Sequence, residues 1–252
     1  MRPDPDESAF VPEWPAPPGV RSLVTTRRGG VSQGPWHSFN LGRHVNDDPA
    51  AVQANREKLL RMSGLEADSI HWLEQVHSNR LVRVPAVEAT PVADAAWTDQ
   101  PGQACVVMTA DCLPVLFCDL SATRVAVAHA GWRGLAAGVL ESALQVFPDP
   151  SRVIAYLGPA IGPSAFEVGD EVREAFTADD PDAGFHFQPA SSLGETWYAD
   201  LYGLARQRLE TAGVTRVFGG CACTFSDEAD FYSFRRDGTT GRMASLIWLD
   251  SA

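Results

Sequence analysis

The amino-acid sequence predicts a single α+β domain, and three observations carry this prediction. Strand-like and helix-like segments are mixed without the regular β-α-β alternation of a doubly wound parallel sheet. The chain has no repeat of fixed period and no internal linker, and its 252 residues are enough to bury a full core. We therefore expect an irregular, proline-rich N-terminal arm over residues 1–19 and one domain over residues 20–252.

The first half of the chain begins with a predicted strand over residues 20–26, followed by a turn that contains two glycines. A helix is predicted to start after Asp48, because an N-cap aspartate followed by Pro49 at the first helical position is a start signal. Gly64 is expected to end this helix. Apolar runs predict further strands over residues 70–76, 81–87, 104–118 (broken at Pro114) and 124–130.

The second half predicts three helices and three strands. Residues 134–147 carry apolar side chains at helical spacing: Leu135, Val139, Leu140, Leu144 and Phe147. The other helices are expected over residues 166–176 and 198–212. Strands are expected over residues 153–157, 214–219 and 244–249.

Composition and charge exclude several classes of function. Hydrophobic residues make up 45% and charged residues 21% of the chain, as in ordinary soluble proteins. A net charge of −12 repels phosphate backbones and anionic lipid, so neither a nucleic acid nor a membrane is expected as a partner. The start of the chain does not resemble a signal peptide, and no apolar stretch is long enough for a transmembrane helix. Five cysteines without an export signal predict reduced thiols and a cytoplasmic location.

Three metal-competent side chains, His77, Cys112 and His129, lie at the ends of apolar runs or at a break between them. Two imidazoles and one thiolate suit Zn²⁺, with Cu²⁺ as the other option, and leave a fourth position open. The gaps of 35 and 17 residues are too long for a local zinc signature, and each residue is also consistent with a structural role in the core. In a metal-free alternative, His129 activates Cys112 as a nucleophile.

Other polar residues predict contacts to a substrate. Asn40 and His44 share a predicted loop segment, where they bind a ligand or satisfy backbone groups. Arg133, between two glycines, is suited to an anion or to a carboxylate partner. Arg235, in an arginine pair, is suited to phosphate or to a solvated surface. Two further thiols at alternating positions, Cys221 and Cys223, are more typical of small apolar side chains than of a site.

Seven motifs, taken together and in order, resemble one known family. They are TTRRGGVS (25–32), NLGRHVNDDP (40–49), QVH (75–77), TADCLP (109–114), HAGWRG (129–134), LGPAIG (157–162), and CTFS (223–226) with SFRRDGTTGR (233–242). The sequence is similar to the YfiH-type polyphenol oxidase or laccase-domain proteins, now regarded as purine nucleoside enzymes. The resemblance covers about residues 20–250.

This resemblance implies a layered α/β/β/α sandwich with mixed sheets, as in the cysteine hydrolase fold. It implies that His77, Cys112 and His129 are both the metal ligands and the catalytic residues of a catalytic domain. Activities attributed to the family are phosphorolysis of adenosine, inosine, guanosine and methylthioadenosine, and deamination of adenosine. Phe234 stands where the family often has tyrosine or histidine, so the polar contact of those side chains is not expected here.

The resulting hypothesis is a zinc-dependent purine nucleoside enzyme whose partners are a small-molecule nucleoside and phosphate. Arginine is the natural phosphate clamp, and Arg27, Arg133 and Arg235 lie in family motifs. Two alternatives are a Cys–His amidase acting on a peptidoglycan precursor and a copper-dependent polyphenol oxidase. The oxidase fits worse, because six histidines are too few for a multicopper set. A non-catalytic binding module is a third alternative, and the sequence does not indicate an oligomeric state.

Overall fold

The computed structural model describes residues 8–190 and 196–251. The strands are β1 (Ala9–Phe10), β2 (Val20–Thr25), β3 (Ile70–His71), β4 (Leu81–Arg83), β5 (Ala95–Thr98), β6 (Ala104–Thr109), β7 (Leu113–Asp119), β8 (Val125–Ala130), β9 (Val153–Leu157), β10 (Glu167–Gly169), β11 (Phe187–Pro189), β12 (Thr196–Ala199), β13 (Arg216–Gly219) and β14 (Met243–Leu249). The α-helices are α1 (Pro49–Ser63), α2 (Trp132–Ala136), α3 (Val139–Leu144), α4 (Asp170–Thr177), α5 (Leu201–Thr211) and α6 (Phe234–Asp237).

Two large mixed sheets pack face to face. The five-stranded sheet has the order β1-β2-β14-β6-β3, and the six-stranded sheet has the order β13-β9-β7-β8-β5-β4. Alternate side chains of both sheets meet in one apolar layer, which includes Cys105 and Val107 of β6 and Val125 and Val127 of β8. A third sheet, β10-β12-β11, lies beside them.

Helices cover the outer faces of the sandwich. Helix α1 buries Leu59 against the second face of the five-stranded sheet, where Val106 and Leu246 lie. Helices α3 and α5 bury Leu140 and Leu204 against the outer face of the six-stranded sheet. These four layers confirm the predicted α/β/β/α arrangement, whereas the likeness to cysteine hydrolases stays a prediction.

Helix α1 has the ends that the sequence predicts. The Asp48 carboxylate accepts a hydrogen bond from the Ala50 backbone N–H at 3.0 Å, and Pro49 needs no N–H at the first position. Gly64 caps the other end with φ +68°, a left-handed conformation that glycine adopts at little cost.

The other three predicted helices are shorter than expected. Residues 134–147 form parts of α2 and α3, which are separated at Gly138 with φ +89°. The predicted helices over 166–176 and 198–212 each begin with a strand, β10 and β12, which pair with one another. The apolar spacing in the second segment belongs to α5 alone, because Asp200 caps that helix through the Gly203 N–H at 3.0 Å.

The prediction of a break at Pro114 was wrong. Strand β6 ends at Thr109, and the chain crosses to the other sheet at Asp111, whose φ of +88° no continuous strand can accommodate. Pro114 is instead the second residue of β7, near a strand start, where proline is tolerated. The apolar runs 70–76 and 81–87 form only the short strands β3 and β4.

The N-terminal segment is anchored to the sandwich. Within the predicted irregular arm, β1 pairs antiparallel with β2, while residues 1–7 lie outside the described part of the chain. All five cysteines are free thiols. Among the described residues, no helix is long and apolar enough to cross a membrane.

Candidate active site

His129 lies near the end of β8 and is oriented by one carboxylate. By strand alternation its side chain shares the inter-sheet face with Val125 and Val127, and it is only 3% exposed. The Nδ1 atom lies 2.8 Å from Oδ1 of the fully buried Asp94, just before β5. This contact fixes the tautomer with the proton on Nδ1, so Nε2 is left as the ligand atom.

The same carboxylate holds the loop that carries His77. The backbone N–H groups of Val76, His77 and Ser78 donate to Asp94 at 3.1, 2.9 and 2.7 Å, and the Ser78 hydroxyl donates at 2.7 Å. His77 has a φ of +61°, an uncommon value for a residue with a side chain. Asp94 therefore positions two of the three metal-competent side chains.

The third side chain, Cys112, follows the crossover between the two sheets. Asp111 holds this crossover, since its carboxylate accepts the Thr224 hydroxyl and the Arg235 backbone N–H, both at 2.7 Å. Its backbone carbonyl accepts the Ile161 N–H at 2.9 Å. The left-handed backbone of Asp111 thus turns the chain where Cys112 must enter the site.

The three ligand atoms converge. Cys112 Sγ and His77 Nε2 are 3.7 Å apart, and the three ligand atoms all lie within 4.8 Å of one another. Sulfur and nitrogen atoms bound to one tetrahedral zinc ion are ~3.6 Å apart, given the usual bond lengths. A Cβ atom on Gly131 would lie 2.7 Å from Cδ2 of His77 and 3.0 Å from Cys112 Sγ. The donor set and this cradle fit a zinc ion.

The charges of the cluster also suit a metal. Burial raises the pKa of the Cys112 thiol, but the charge of His129 and the hydrogen-bonding imidazoles outweigh it and lower the pKa to about 6. Burial lowers the pKa of His129, but Cys112 and Asp94 outweigh it and raise the pKa to about 9. Cys112 is therefore a thiolate at neutral pH, and His129 would have to lose one proton to bind a metal ion.

Replacing Gly131 with alanine is expected to weaken zinc binding at least ~10-fold while leaving the fold intact. The backbone of Gly131 has φ −62° and ψ 154°, which alanine adopts freely, so the added methyl group acts only by displacing His77 and Cys112. Competition with a chromogenic chelator measures the zinc affinity. Gly184→Ala is the matched control, because its nearest neighbours would be 3.8 Å away. Equal zinc affinity in both variants would contradict this geometry.

The cluster opens into a cavity of about 330 Å³. Its walls combine apolar side chains with an imidazole and a guanidinium group. Besides the three metal-competent residues, they contain His44, Gln75, Met108, Thr109, Ala110, Phe234 and Arg242. The Gln75 side chain is clamped to both backbone groups of Met108 at 2.8 Å, which fixes one wall. Phe234 is 58% exposed at the rim.

The four predicted substrate-binding residues are not in the wall of this cavity. Asn40 is fully buried, and its amide bonds Asp47 and the backbone of Gly42 and Arg242. Arg27 binds two backbone carbonyls at a separate surface depression, Arg133 lies over the neighbouring Trp132 ring, and Arg235 donates to the carbonyl of Glu167. Their substrate-binding role stays a prediction.

Sequence reasoning missed Asp94. The signal was a lone carboxylate within an otherwise apolar stretch, residues 91–97, because a charge is buried only with partners. Reasoning from motifs also placed Arg242 in a family segment without assigning it a role, although it faces the cavity.

Comparisons with known proteins agree with the motifs. Residues 21–250 match the family described as multi-copper polyphenol oxidoreductase laccase. The chain is 56% identical to purine nucleoside phosphorylase PA4543 of Pseudomonas aeruginosa over 95% of this chain and 98% of that protein. It is 52% identical to purine nucleoside phosphorylase YfiH of Escherichia coli over 95% and 98%.

Solved structures share the whole architecture. The crystal structure of Neisseria meningitidis protein NMB0706 has a TM-score of 0.93 and 50% identity, over 97% of this chain and 100% of that one. YlmD from Geobacillus stearothermophilus has a TM-score of 0.91 and 32% identity, over 97% of each chain. The chain therefore belongs to the multi-copper polyphenol oxidoreductase laccase family, together with the YfiH-type purine nucleoside phosphorylases.

Proposed function

We propose that this protein is a zinc-dependent purine nucleoside phosphorylase that acts on adenosine, inosine, guanosine and methylthioadenosine. The observation that carries the proposal is the convergence of His77, Cys112 and His129 at one end of a cavity of about 330 Å³. That volume is within the range of small-molecule sites. The names of the bacterial relatives favour phosphorolysis over other reactions of such a site.

The reaction makes two demands on the protein. Phosphorolysis breaks the C1′–N9 bond, forms a C1′–O bond to phosphate, and leaves a purine base that takes up a proton. The base needs an apolar surface, which Met108 and Phe234 offer, and the phosphate needs cationic donors, such as Arg242 in the cavity wall. When bound, zinc supplies a positive charge and a Lewis-acid centre beside the substrate.

Deamination of adenosine is a second activity that the same donor set supports, since three protein ligands leave a position open on zinc. A metal-free amidase is supported by a different observation. Asp94, His129 and Cys112 form a carboxylate–imidazole–thiol series with the pKa of the thiol lowered to about 6. A multicopper oxidase has less support, because the described residues contain one group of three potential metal ligands.

The test uses protein purified without a metal-affinity tag. We expect about one zinc ion per chain, and release of hypoxanthine from inosine that depends on phosphate and yields ribose 1-phosphate. Cys112→Ala is expected to lose both the zinc and the activity, whereas Cys221→Ala, at an exposed free thiol that does not line the cavity, keeps them. Base release without phosphate, or activity retained by Cys112→Ala, would overturn the proposal. Amide hydrolysis by metal-free protein would support the amidase instead.

A further inference from the structure

Among the described residues, four cationic or basic side chains around the site have no carboxylate partner. We call Arg43, His44, Arg56 and Arg242 the cationic strip. Within residues 8–190 and 196–251, no aspartate or glutamate oxygen lies within ion-pair distance of any of them. The chain carries a net charge of −12, so acidic side chains are plentiful elsewhere. A cluster of one sign in such a protein indicates a site for an oppositely charged ligand.

The strip extends from the metal-competent cluster outwards. Arg242 lines the inner cavity with His77, Cys112 and His129, and Arg43 and Arg56 line an adjoining outer cavity of about 270 Å³. His44 lines both cavities. Glu74 also lines the outer cavity but forms no ion pair with the strip.

The two half-buried arginines are held rigidly and still have unused donors. Arg56 donates hydrogen bonds from Nε and Nη2 to the Leu41 carbonyl at 3.0 and 2.8 Å. Its guanidinium group lies over the Trp72 ring, 3.6 Å from the ring centroid. Nη1 of Arg56 has no partner in the described part of the chain. Nη1 of Arg242 donates to the carbonyls of Thr240 and Gly241, whereas its Nε and Nη2 have no partner among the described residues. None of these free atoms is fully buried.

Asn40 brings the two ends of the strip together. Its side-chain oxygen accepts the backbone N–H groups of Gly42 and Arg242, both at 2.9 Å. A Cβ atom on Gly42 would lie 2.9 Å from Cγ of Arg242, so the glycine makes room for the arginine. The buried amide of Asn40 and the absence of a side chain at Gly42 thus position Arg242 beside the loop that carries Arg43 and His44.

The electrostatics of the strip without a ligand are unfavourable. Burial and the charge of Arg43 lower the pKa of Arg56 to about 9. Burial lowers the pKa of Arg242, although the charges of Cys112 and Asp111 act in the opposite direction. Burial, together with the charges of Arg242 and Arg56, lowers the pKa of His44. A bound dianion would remove this mutual repulsion and use the free guanidinium N–H groups.

We propose that the cationic strip, with Arg242 as its main donor, is the subsite that binds inorganic phosphate. The proposal rests on the function proposed above and assigns the phosphate to residues other than Arg27, Arg133 and Arg235, which do not line the cavity. It places the anion next to the metal-competent cluster, where a nucleoside in the inner cavity would meet it.

The experiment combines kinetics with direct binding to the zinc-loaded protein. Arg242→Gln is expected to raise the KM for phosphate about 10- to 100-fold, because charge-assisted hydrogen bonds are lost, while the KM for inosine changes less than about 3-fold. Arg242→Lys keeps the charge without the planar fork and should give an intermediate KM for phosphate. Arg43→Gln, on the exposed end of the strip, should raise it less. Arg61→Gln, an exposed arginine at the end of α1, is the charge-matched control and should leave both values unchanged.

Calorimetric titration with inorganic phosphate separates this proposal from the function on which it rests. Phosphate binding by wild type that is lost in Arg242→Gln supports the subsite even if no nucleoside is cleaved. Inosine 5′-monophosphate, titrated in parallel, tests whether the anion belongs to a nucleotide. No phosphate binding by wild type, or weakening of nucleotide binding alone, would overturn the proposal. An unchanged KM for phosphate in folded Arg242→Gln and Arg43→Gln would also overturn it. The same holds if the KM for phosphate rises only in Arg27→Gln, Arg133→Gln or Arg235→Gln.

Discussion

Replacement of Asp94 by alanine is expected to lower the free energy of unfolding by about 4 kcal/mol and to weaken zinc binding at least ~10-fold. Asp94 is fully buried and accepts hydrogen bonds from five donors: the backbone N–H groups of Val76, His77 and Ser78, the Ser78 hydroxyl and His129 Nδ1. The truncation leaves the buried Nδ1 of His129 and the part-buried donors of the His77 loop without an acceptor. It also frees the His77 loop and the His129 ring, so two of the three metal-competent side chains lose their orientation.

Urea unfolding and chelator competition measure the two effects. Asp99→Ala is the control, because the ion pair of Asp99 with Arg83 is partly exposed, and its loss should change stability by less than ~1 kcal/mol. A drop in stability with unchanged zinc affinity would show that Asp94 acts only in the fold. Asp94→Asn keeps the shape and tests the charge.

The pH dependence of the free energy of unfolding tests the role of Asp94 independently. Burial raises the pKa of Asp94, but hydrogen bonds from His129 and Ser78 outweigh it and lower the pKa from 3.8 to about 2. A carboxyl group whose pKa is lower in the folded state stabilises the protein above its unfolded pKa. That contribution, about 2 kcal/mol, is lost as the pH falls from about 4 to about 2, and it should be missing in Asp94→Asn.

Replacement of Asp111 by alanine is expected to lower the free energy of unfolding by about 3 kcal/mol. The change leaves the Thr224 hydroxyl and the Arg235 N–H without their acceptor, and the alanine keeps the unfavourable φ of +88°. Cys112 follows directly, so the zinc affinity should fall as well.

Two further variants at this position separate the causes. Asp111→Gly removes the backbone strain and should be about 1 kcal/mol more stable than Asp111→Ala, measured by urea unfolding. Asp111→Asn keeps an acceptor oxygen and should lie closest to wild type. If glycine were no better than alanine, the left-handed backbone would not be the source of the difference.

The sequence predicted those features of the fold that local chemistry decides. Both ends of helix α1 were predicted correctly, because Asp48, Pro49 and Gly64 act on the helix end next to which they lie. The run 104–118 was misread, since its apolar pattern is continuous while the chain leaves one sheet and enters the other. Which sheet a strand joins depends on its pairing with strands that are distant in sequence. Residues 110–112 determine only the local turn between β6 and β7.

The candidate site was predictable to different degrees. His77, Cys112 and His129 stood out because metal-competent side chains are rare in apolar surroundings, and the structure brings them together. The arginines could not be ranked from sequence, since a guanidinium group suits a ligand, a carbonyl or a solvated surface equally well. Only the packing of the 40–44 loop against Arg242 distinguishes the residue that faces the cavity.

The position of the crossover at Asp111 has a consequence for long-range effects of mutation. Gln75 ties the His77 loop to β6 of the five-stranded sheet, while His129 belongs to β8 of the six-stranded sheet. Asp94 also holds this loop beside β5 of the six-stranded sheet, so a bound zinc ion would strengthen an existing connection between the two sheets. The zinc affinity would therefore fall if one sheet shifted relative to the other. Substitutions deep in the inter-sheet layer, such as at Val107 or Val127, would then change metal retention without touching a ligand.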